Sequence, residues 1–267
     1  MGADTKKLRS RIKSVDSTLH LTKAMGLVAS SKIRKSMEAM KKSREYYDML
    51  SRVIQNLSAS PECAKSPYMA ETASNKRTLI IVVAGDRGLA GGYNANVFRL
   101  AKQYPDAEFI AIGKRACDRF GGDYSAEHFS FAQSSELAKA VCRRFSDGEL
   151  DRVGIISTKY ISMMSQESHI RWMLPLVREE TVPITGVVYE PDELSVLNTA
   201  VPLYIAGAIV AAVREGFASE VAARRCAMDS AGKNAKQMID ELQLEYNRAR
   251  QGAITQEITE IVAGSGM

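Results

Sequence analysis

The sequence of 267 residues is poor in the side chains that build metal sites and disulfide frameworks. Its four cysteines, Cys63, Cys117, Cys142 and Cys226, stand far apart with no CxxC pair, and it has three histidines. Structural metal sites and disulfide frameworks show closely spaced or patterned cysteines and histidines. We therefore expect no metal and no cofactor, and we expect reduced, buried thiols.

Long apolar segments are also lacking. We identify no run of about eighteen apolar residues, so we interpret the sequence as excluding a membrane-spanning helix. The N-terminus has no apolar signal core, and Lys6 occupies the position where a myristoylation signal needs serine or threonine. These absences predict a soluble, cytoplasmic protein.

Proline is absent from both ends of the chain. All seven prolines lie between residues 61 and 202, so both ends are free to form long helices and the middle is the folded block. We predict an N-terminal coiled-coil helix over 1–60, a linker over 61–77, a central α/β domain over 78–200 and a C-terminal coiled-coil helix over 201–267.

Aromatic residues are missing from the first 45 positions, although this end is strongly basic. Residues 1–50 hold twelve Lys/Arg and five Asp/Glu, a balance of +7, whereas the whole chain is +5. A basic arm suits nucleic acid or an acidic protein surface. Binding of single-stranded nucleic acid typically uses aromatics interleaved with the charges, so their absence disfavours that alternative.

Apolar and small residues recur at three- and four-residue steps in both arms, as in a coiled-coil seam. The N-terminal seam comprises Leu8, Ile12, Val15, Leu19, Thr22, Gly26, Ala29, Ile33, Ser36, Met40, Ser43, Tyr47, Leu50, Ile54 and Leu57. The C-terminal seam comprises Met228, Ala231, Ala235, Met238, Leu242, Tyr246, Ala249 and Ala253. Two such arms flanking one block predict an antiparallel pair, in which we expect Leu19 near Ala249 and far from Met228.

The middle of the chain alternates strand and helix patterns, which is typical of a parallel α/β sheet. Strands are predicted at TLIIVV, FIAIG, RVGIISTKY, HIRWML and TGVVYE, and helices over 114–120 and 134–144. A glycine-rich turn, GDRGLAGGYN, follows the first strand, with Asn94 as a predicted helix cap. Its spacing fits neither GxxxxGK[ST] nor GxGxxG, so we interpret it as a structural turn. His20 and His169 are interpreted as satisfied structural histidines.

Several segments resemble one family. The run IDELQLEYNRARQGAITQEITEIVAG, preceded by ARRCAMDSAGKN, resembles the C-terminal signature of the gamma subunit of bacterial-type rotary F-type ATP synthase. LTKAMGLVASSKIRK and GDRGLAGGYN resemble two further segments of that family, although Gly26 replaces a larger residue and would allow local bending. The resemblance implies an antiparallel coiled coil of both termini and a Rossmann-like central domain that is not a catalytic nucleotide site.

The same resemblance implies a function and its contacts. The expected protein is the central-stalk rotor, without a catalytic site of its own, which couples rotation of a membrane ring to conformational change at catalytic sites. Its partners would be the alpha and beta subunits of the catalytic hexamer, the epsilon subunit and the ring of c subunits, on the cytoplasmic side of the membrane. The residues implied to contact beta are Lys23, Met25, Arg250, Gln251, Thr255 and Glu257. Those implied for the ring-facing foot are Tyr189 and Glu190. The alternatives are an unrelated coiled-coil adaptor and a nucleic-acid-binding protein with a basic arm.

Overall fold

A computed structural model describes residues 2–70, 77–178 and 187–264 of the chain. Both ends of the chain form single long helices; the N-terminal one contains no proline, and the C-terminal one contains only Pro202, near its start. The helices and strands, in chain order, are α1 (Gly2–Ser58), β1 (Thr78–Val83), α2 (Tyr93–Ala101), β2 (Glu108–Ile112), α3 (Lys114–Phe120), α4 (Phe131–Ser146), β3 (Arg152–Tyr160), β4 (Gln166–Leu174) and α5 (Glu193–Gly264).

The four strands form one sheet in the order β2-β1-β3-β4. β1 pairs in parallel with β2 and β3, whereas β4 runs antiparallel to β3 at the edge. Leu79–Val83 of β1 is fully buried, because helices cover both faces of a central parallel strand. The continuous apolar run of this strand therefore reflects two-sided burial. The predicted α/β class with long paired terminal helices is confirmed.

The chain divides into two compact units, Met1–Ser30 with Arg224–Met267, and Ser31–Ala223. The first unit contains only parts of α1 and α5. A Cβ on Gly26 would lie 3.6 Å from Cβ of Met228, and a Cβ on Gly232 would lie 3.5 Å from Oγ1 of Thr22 and 3.8 Å from Cδ1 of Leu19. Residues later in α5 therefore contact residues earlier in α1, so the predicted antiparallel direction is confirmed.

The second unit contains the sheet and the remaining parts of both long helices. Here Arg44 bonds Glu215, and Tyr47 stacks on Tyr204 with ring centroids 5.6 Å apart. A Cβ on Gly207 would lie 3.1 Å from Cδ1 of Leu50. The same antiparallel order therefore holds within this unit.

The predicted register of the pair was wrong. Leu19 contacts the 228–232 region of α5, not Ala249, because the C-terminal seam begins well before Met228 and shifts the pairing. All predicted seam residues of α1 are buried or half-buried, but Met238 of α5 is 42% exposed. The C-terminal seam instead passes through Gly232 and Ile239, which keep the four-three spacing between Met228, Ala235 and Leu242.

α5 begins at Glu193, eight residues before the boundary that the proline content suggested. Asp192 caps it, since its carboxylate accepts bonds from the Ser195 amide at 2.8 Å and the Ser195 hydroxyl at 2.7 Å. Pro202 lies inside the helix, where it removes one backbone donor without ending it. The predicted strand TGVVYE is wrong over residues 187–190, which form no strand; Thr185 and Gly186 lie outside the described residues.

The expectation that no span-length apolar segment exists also needs correction. Residues 194–213 contain no charged side chain, and α5 is long and apolar enough to cross a membrane by length and composition alone. However, Leu197, Val201, Ile205 and Ile209 are fully buried in the core that also contains β1 and β3. This part of α5 is apolar on several faces because other parts of the protein pack against those faces, as in the core helix of a folded domain.

The first part of the predicted linker, residues 61–70, packs against the main core, and its residues 71–76 lie outside the described residues. Residues 62–65 and 67–69 form two short 3-10 turns, and Cys63 and Tyr68 are buried in the main core. None of the four cysteines forms a disulfide; Cys63 and Cys142 are buried, whereas Cys117 and Cys226 are half-buried. Burial raises the pKa of the Cys142 thiol to about 12. Cys142 is therefore protonated at neutral pH.

Candidate functional site

A basic groove lies between the two helices of the first unit, with a cavity volume of about 450 Å³. Two glycines, Gly26 on α1 and Gly232 on α5, leave the space that forms it, and Leu19, Leu27 and Met228 supply apolar walls. Its charged lining comprises Lys23, Arg225, Lys233, Lys236 and Asp229. Asp229 bonds Lys233 at 3.0 Å, so three cations remain in excess. An acidic partner surface therefore fits this groove electrostatically.

Gly26 serves close packing and does not interrupt the helix. α1 is continuous through this position, although glycine costs about 1 kcal/mol relative to alanine inside a helix. A Cβ here would lie 3.2 Å from Nη1 of Arg225, which is closer than ordinary contact. The missing side chain thus gives room to the Arg225 guanidinium and to the partner helix.

The two predicted beta-contact regions lie far apart on this helix pair. Lys23 is exposed in the groove and Met25 is half-buried beside it. Arg250, Gln251 and Thr255 are exposed on α5, roughly 30 Å from the groove at 1.5 Å per residue. The predicted beta-contact residues therefore form two separate patches, one at the groove and one near the end of α5. Glu257, the remaining predicted contact residue, has a side chain that the structure does not describe.

The end of α5 carries a feature that the sequence interpretation missed. Every described side chain from Ile254 to Gly264 is exposed, including Ile254 at 43%, Ile258 at 56% and Ile261 at 70%. Their steps of four and three place these isoleucines on one helix face, near Arg250. This spacing was the available signal. An exposed apolar stripe of this kind indicates a protein-binding surface.

The predicted foot residues lie in the second unit. Tyr189 is half-buried and packs against the main core cluster, whereas Glu190 is exposed. The two residues precede the Asp192 cap that starts α5. Tyr189 is thus anchored while Glu190 is available for contact.

The glycine-rich turn after β1 is held by side chains of this chain. Asp86 accepts hydrogen bonds from the amides of Lys114, Ala126 and Glu127 at 2.9–3.0 Å and from the Ser125 hydroxyl at 2.7 Å. Burial acts to raise the pKa of Asp86, but these bonds outweigh it and hold the pKa below its usual value. The carboxylate is therefore a charged anchor between the turn and the segments around it.

Two further side chains shape this turn. Asn94 lies inside α2, so its predicted role as a helix cap was wrong; it accepts a bond from the Gly85 amide and donates one to the Arg87 carbonyl. A Cβ on Gly85 would lie 2.6 Å from Cδ of Glu220, which is 2% exposed. The space beside Gly85 is thus filled by a carboxylate of α5.

The histidines differ from the prediction in one respect. His20 is exposed, 3.7 Å from Asp16. Within the described residues, His169 has a buried Nδ1 without a hydrogen-bond partner, so it is not fully satisfied. Burial and then Arg171 hold its pKa below the usual value, which favours the neutral ring. The described residues include no group of three or more His, Cys, Asp or Glu side chains that could hold a metal ion.

A pair of long antiparallel helices with a basic groove and an exposed apolar end defines the class of helical stalk proteins that work within larger assemblies. Comparison with known proteins identifies the family. A family model described as ATP synthase matches residues 4–266. The ATP synthase gamma chain of Ruminococcus albus is 40% identical over 285 residues, covering 98% of both chains. The sodium-ion-specific ATP synthase gamma chain of Acetobacterium woodii is 35% identical over 299 residues, covering 99% of both.

Solved structures share the fold. The rotor of the Euglena gracilis mitochondrial ATP synthase matches with a TM-score of 0.64 and 19% identity, over 95% of this chain and 100% of that chain. The central stalk and ring of the Tetrahymena thermophila enzyme match with a TM-score of 0.60 and 22% identity, over 79% and 99%.

The chain belongs to the ATP synthase gamma chain family and is a central-stalk subunit of F-type ATP synthase. It is thus part of a complex and lies peripheral to the membrane. This family membership replaces the two alternatives of an unrelated adaptor and a nucleic-acid-binding protein.

Proposed function

We propose that this chain is the rotating shaft that couples rotation of a membrane c-subunit ring to conformational change at catalytic sites on beta subunits. The chain itself carries no catalytic site in this proposal. It contacts a hexamer of alpha and beta subunits, the epsilon subunit and the ring, on the cytoplasmic side of the membrane. The names of the solved relatives, a rotor and a central stalk with its ring, support the ring as a partner.

The carrying observation is the asymmetry of charge and apolar surface along the helix pair. One side carries the groove with Lys23 and an excess of three cations, and the end of α5 carries Arg250 beside exposed isoleucines. A rotor with unlike faces contacts each of three catalytic sites differently at any one angle. Only such differential contact can favour one site conformation over another.

The end of α5 supplies the first contact to test. Arg250 and Gln251 are exposed, and Thr255 bonds the Gln251 carbonyl at 3.0 Å. If a beta loop binds Arg250 and Gln251 in one rotational state, removing both side chains loses hydrogen bonds worth about 1.5–3 kcal/mol each where they are charge-assisted. The expected result is a fall of about tenfold or more in ATP synthesis and hydrolysis.

The experiment measures turnover of the assembled complex carrying Arg250→Ala with Gln251→Ala, normalised to assembled hexamer. Assembly should survive, because both side chains are exposed and lie outside the seam. Arg248→Ala with Gln256→Ala, which removes the same two side-chain types from neighbouring exposed positions, is the matched control. Unchanged turnover in both directions, or equal losses in test and control variants, would contradict the proposed contact.

Lys23 tests the groove independently. Lys23→Gln removes one of the cations that face the proposed acidic surface of beta, while Lys7→Gln makes the same change at an exposed position of α1 outside the groove. We expect reduced coupled turnover, with a weaker dependence on ionic strength, for Lys23→Gln alone. Identical behaviour of the two variants would show that the groove charge has no role in the contact.

A further inference from the structure

A second, smaller pocket lies within the Ser31–Ala223 unit, away from all the contact residues considered above. Its volume is about 100 Å³, and it is lined by α1, β3, β4 and α5. By this measure about 10–15 Å³ suffices for one water, so the pocket has room for several waters or for one tetrahedral oxyanion of five heavy atoms. Its polar lining comprises Arg44, Tyr47, Asp48, Lys159, Arg171 and Glu215.

The pocket has cations that the protein itself does not neutralise. Arg44 is paired with Glu215, whose Oε1 lies 2.5 Å from Nη2. Within the described residues, neither Lys159 nor Arg171 forms an ion pair. Arg171 lies over the Tyr47 ring at 5.0 Å, which orients the guanidinium without cancelling its charge. Asp48 is an exposed acidic group at the same pocket, so the pocket carries three cations and two carboxylates.

Glu215 gives the pocket a specific acceptor. Its Oε1 receives bonds from both Arg44 and the Tyr160 amide, the latter at 3.0 Å. Among the hydrogen bonds of the described residues, none reaches Oε2. The Glu215 side chain is only 12% exposed, and its Oε2 is not among the buried side-chain atoms that lack a partner, so this oxygen keeps an opening through which a ligand can reach it. A ligand that donates a hydrogen would satisfy it, whereas an anion with no proton would be repelled.

We propose that this pocket binds a protonated oxyanion, for which hydrogen phosphate is the simplest chemical form. Arg171 and Lys159 donate to its charged oxygens, and Arg44 adds positive charge from α1. The Glu215 Oε2 accepts the P–OH hydrogen. Because sulfate carries no proton at neutral pH, the same carboxylate selects phosphate over sulfate.

Calorimetric titration of the full chain with inorganic phosphate and with sulfate, at pH 7 and matched ionic strength, tests this proposal. We expect saturable phosphate binding and an affinity for sulfate at least about tenfold lower, the factor that 1.4 kcal/mol provides. Lys159→Gln and Arg171→Gln should each weaken phosphate binding about tenfold or more, since each removes a charge-assisted bond. Glu215→Gln replaces the acceptor by an amide that can donate, so it should lose or reverse the preference for phosphate.

Lys139→Gln is the matched control, because it removes one lysine charge from an exposed position on α4 outside the pocket. It should leave phosphate binding unchanged. Three outcomes overturn the proposal: no saturable phosphate binding, equal weakening by Lys139→Gln and Lys159→Gln, or equal affinity of the wild-type chain for phosphate and sulfate. The last comparison needs no variant, so it decides the role of the carboxylate even if Glu215→Gln does not fold.

Discussion

The close approach of Gly85 to Glu220 allows a quantitative prediction for Gly85→Ala. A Cβ at this position would lie 2.6 Å from Cδ of Glu220 and 2.9 Å from both its carboxylate oxygens. Cβ atoms in folded proteins essentially never approach other heavy atoms closer than 3.0 Å. Glu220 is 2% exposed, so the carboxylate has little open space to move into. The alanine variant must therefore disturb the contact between α5 and the turn after β1.

The size of the effect follows from the cost of overpacking. Forcing one additional carbon into a filled site costs about 1–3 kcal/mol. In a chain of this size, 1 kcal/mol lowers the unfolding midpoint by about 2–4 °C. Gly85→Ala should therefore lower the midpoint by about 2–12 °C.

Thermal unfolding of the full chain, followed by circular dichroism, measures this shift. Gly88→Ala is the control in the same turn, because its added Cβ would meet only Nη2 of Arg115 at 3.6 Å, an ordinary contact. Its midpoint should stay within about 2 °C of the wild type, as expected for a surface change within about 0.5 kcal/mol. In a Glu220→Ala background, Gly85→Ala should cost much less, since the obstructing carboxylate is gone. Equal shifts for Gly85→Ala and Gly88→Ala, or an undiminished cost in the Glu220→Ala background, would refute the reasoning.

Two further predictions concern the turn and the helix pair. Asp86→Asn should destabilise the chain by about 2–3 kcal/mol at neutral pH, because charged acceptors make the stronger hydrogen bonds. The folded pKa of Asp86 lies below its unfolded value of about 3.9. The stabilisation from the Asp86 carboxylate is therefore complete above the unfolded pKa and is lost as pH falls through the folded pKa. The urea unfolding midpoints of wild type and Asp86→Asn should converge in acid. A difference between the two midpoints that does not change with pH would contradict this. In a Cys226→Ser background, Gly26→Cys with Met228→Cys should form a disulfide on oxidation, because the two Cβ atoms would lie 3.6 Å apart. The control pair, Gly26→Cys with Ala249→Cys, should not form one. Non-reducing gels measure the yield of each disulfide, and a higher yield for the control pair would exclude this register.

Much of the fold could be predicted because burial leaves a strong pattern in the sequence. The buried run of β1 and the apolar start of β3 identified the central strands, and the α1 seam identified one continuous helix. The start of α5 was missed because Pro202 looked like a boundary, while the Asp192 cap and Ser195 carry the actual signal. A proline inside a helix is tolerated when the surrounding core holds the helix in place.

The register of the helix pair could not be predicted in the same way. A repeating seam determines which face of a helix is buried, but several alignments of two such seams satisfy the same pattern. The register here depends on the meeting of two small residues with larger partners, Gly26 with Met228 and Gly232 with Thr22. Sequence spacing alone does not indicate which of many small residues meet.

The candidate sites also differ in how far the sequence could predict them. Lys23 and Arg250 were predicted as contact residues through resemblance to a family, and the structure adds that both are exposed. The proposed oxyanion pocket could not be predicted, since Arg44, Lys159 and Arg171 come from three different elements of the chain. Only the folded sheet and helices bring these charges to one place.

Direct observation of rotation tests the central claim most directly. The catalytic hexamer is immobilised, and a probe is attached to this chain at an exposed residue such as Glu190. During ATP hydrolysis the account predicts stepwise rotation of the probe in one direction, at a rate that follows ATP turnover. A stationary or randomly fluctuating probe on a complex that hydrolyses ATP at the full rate would contradict the role of this chain as the shaft.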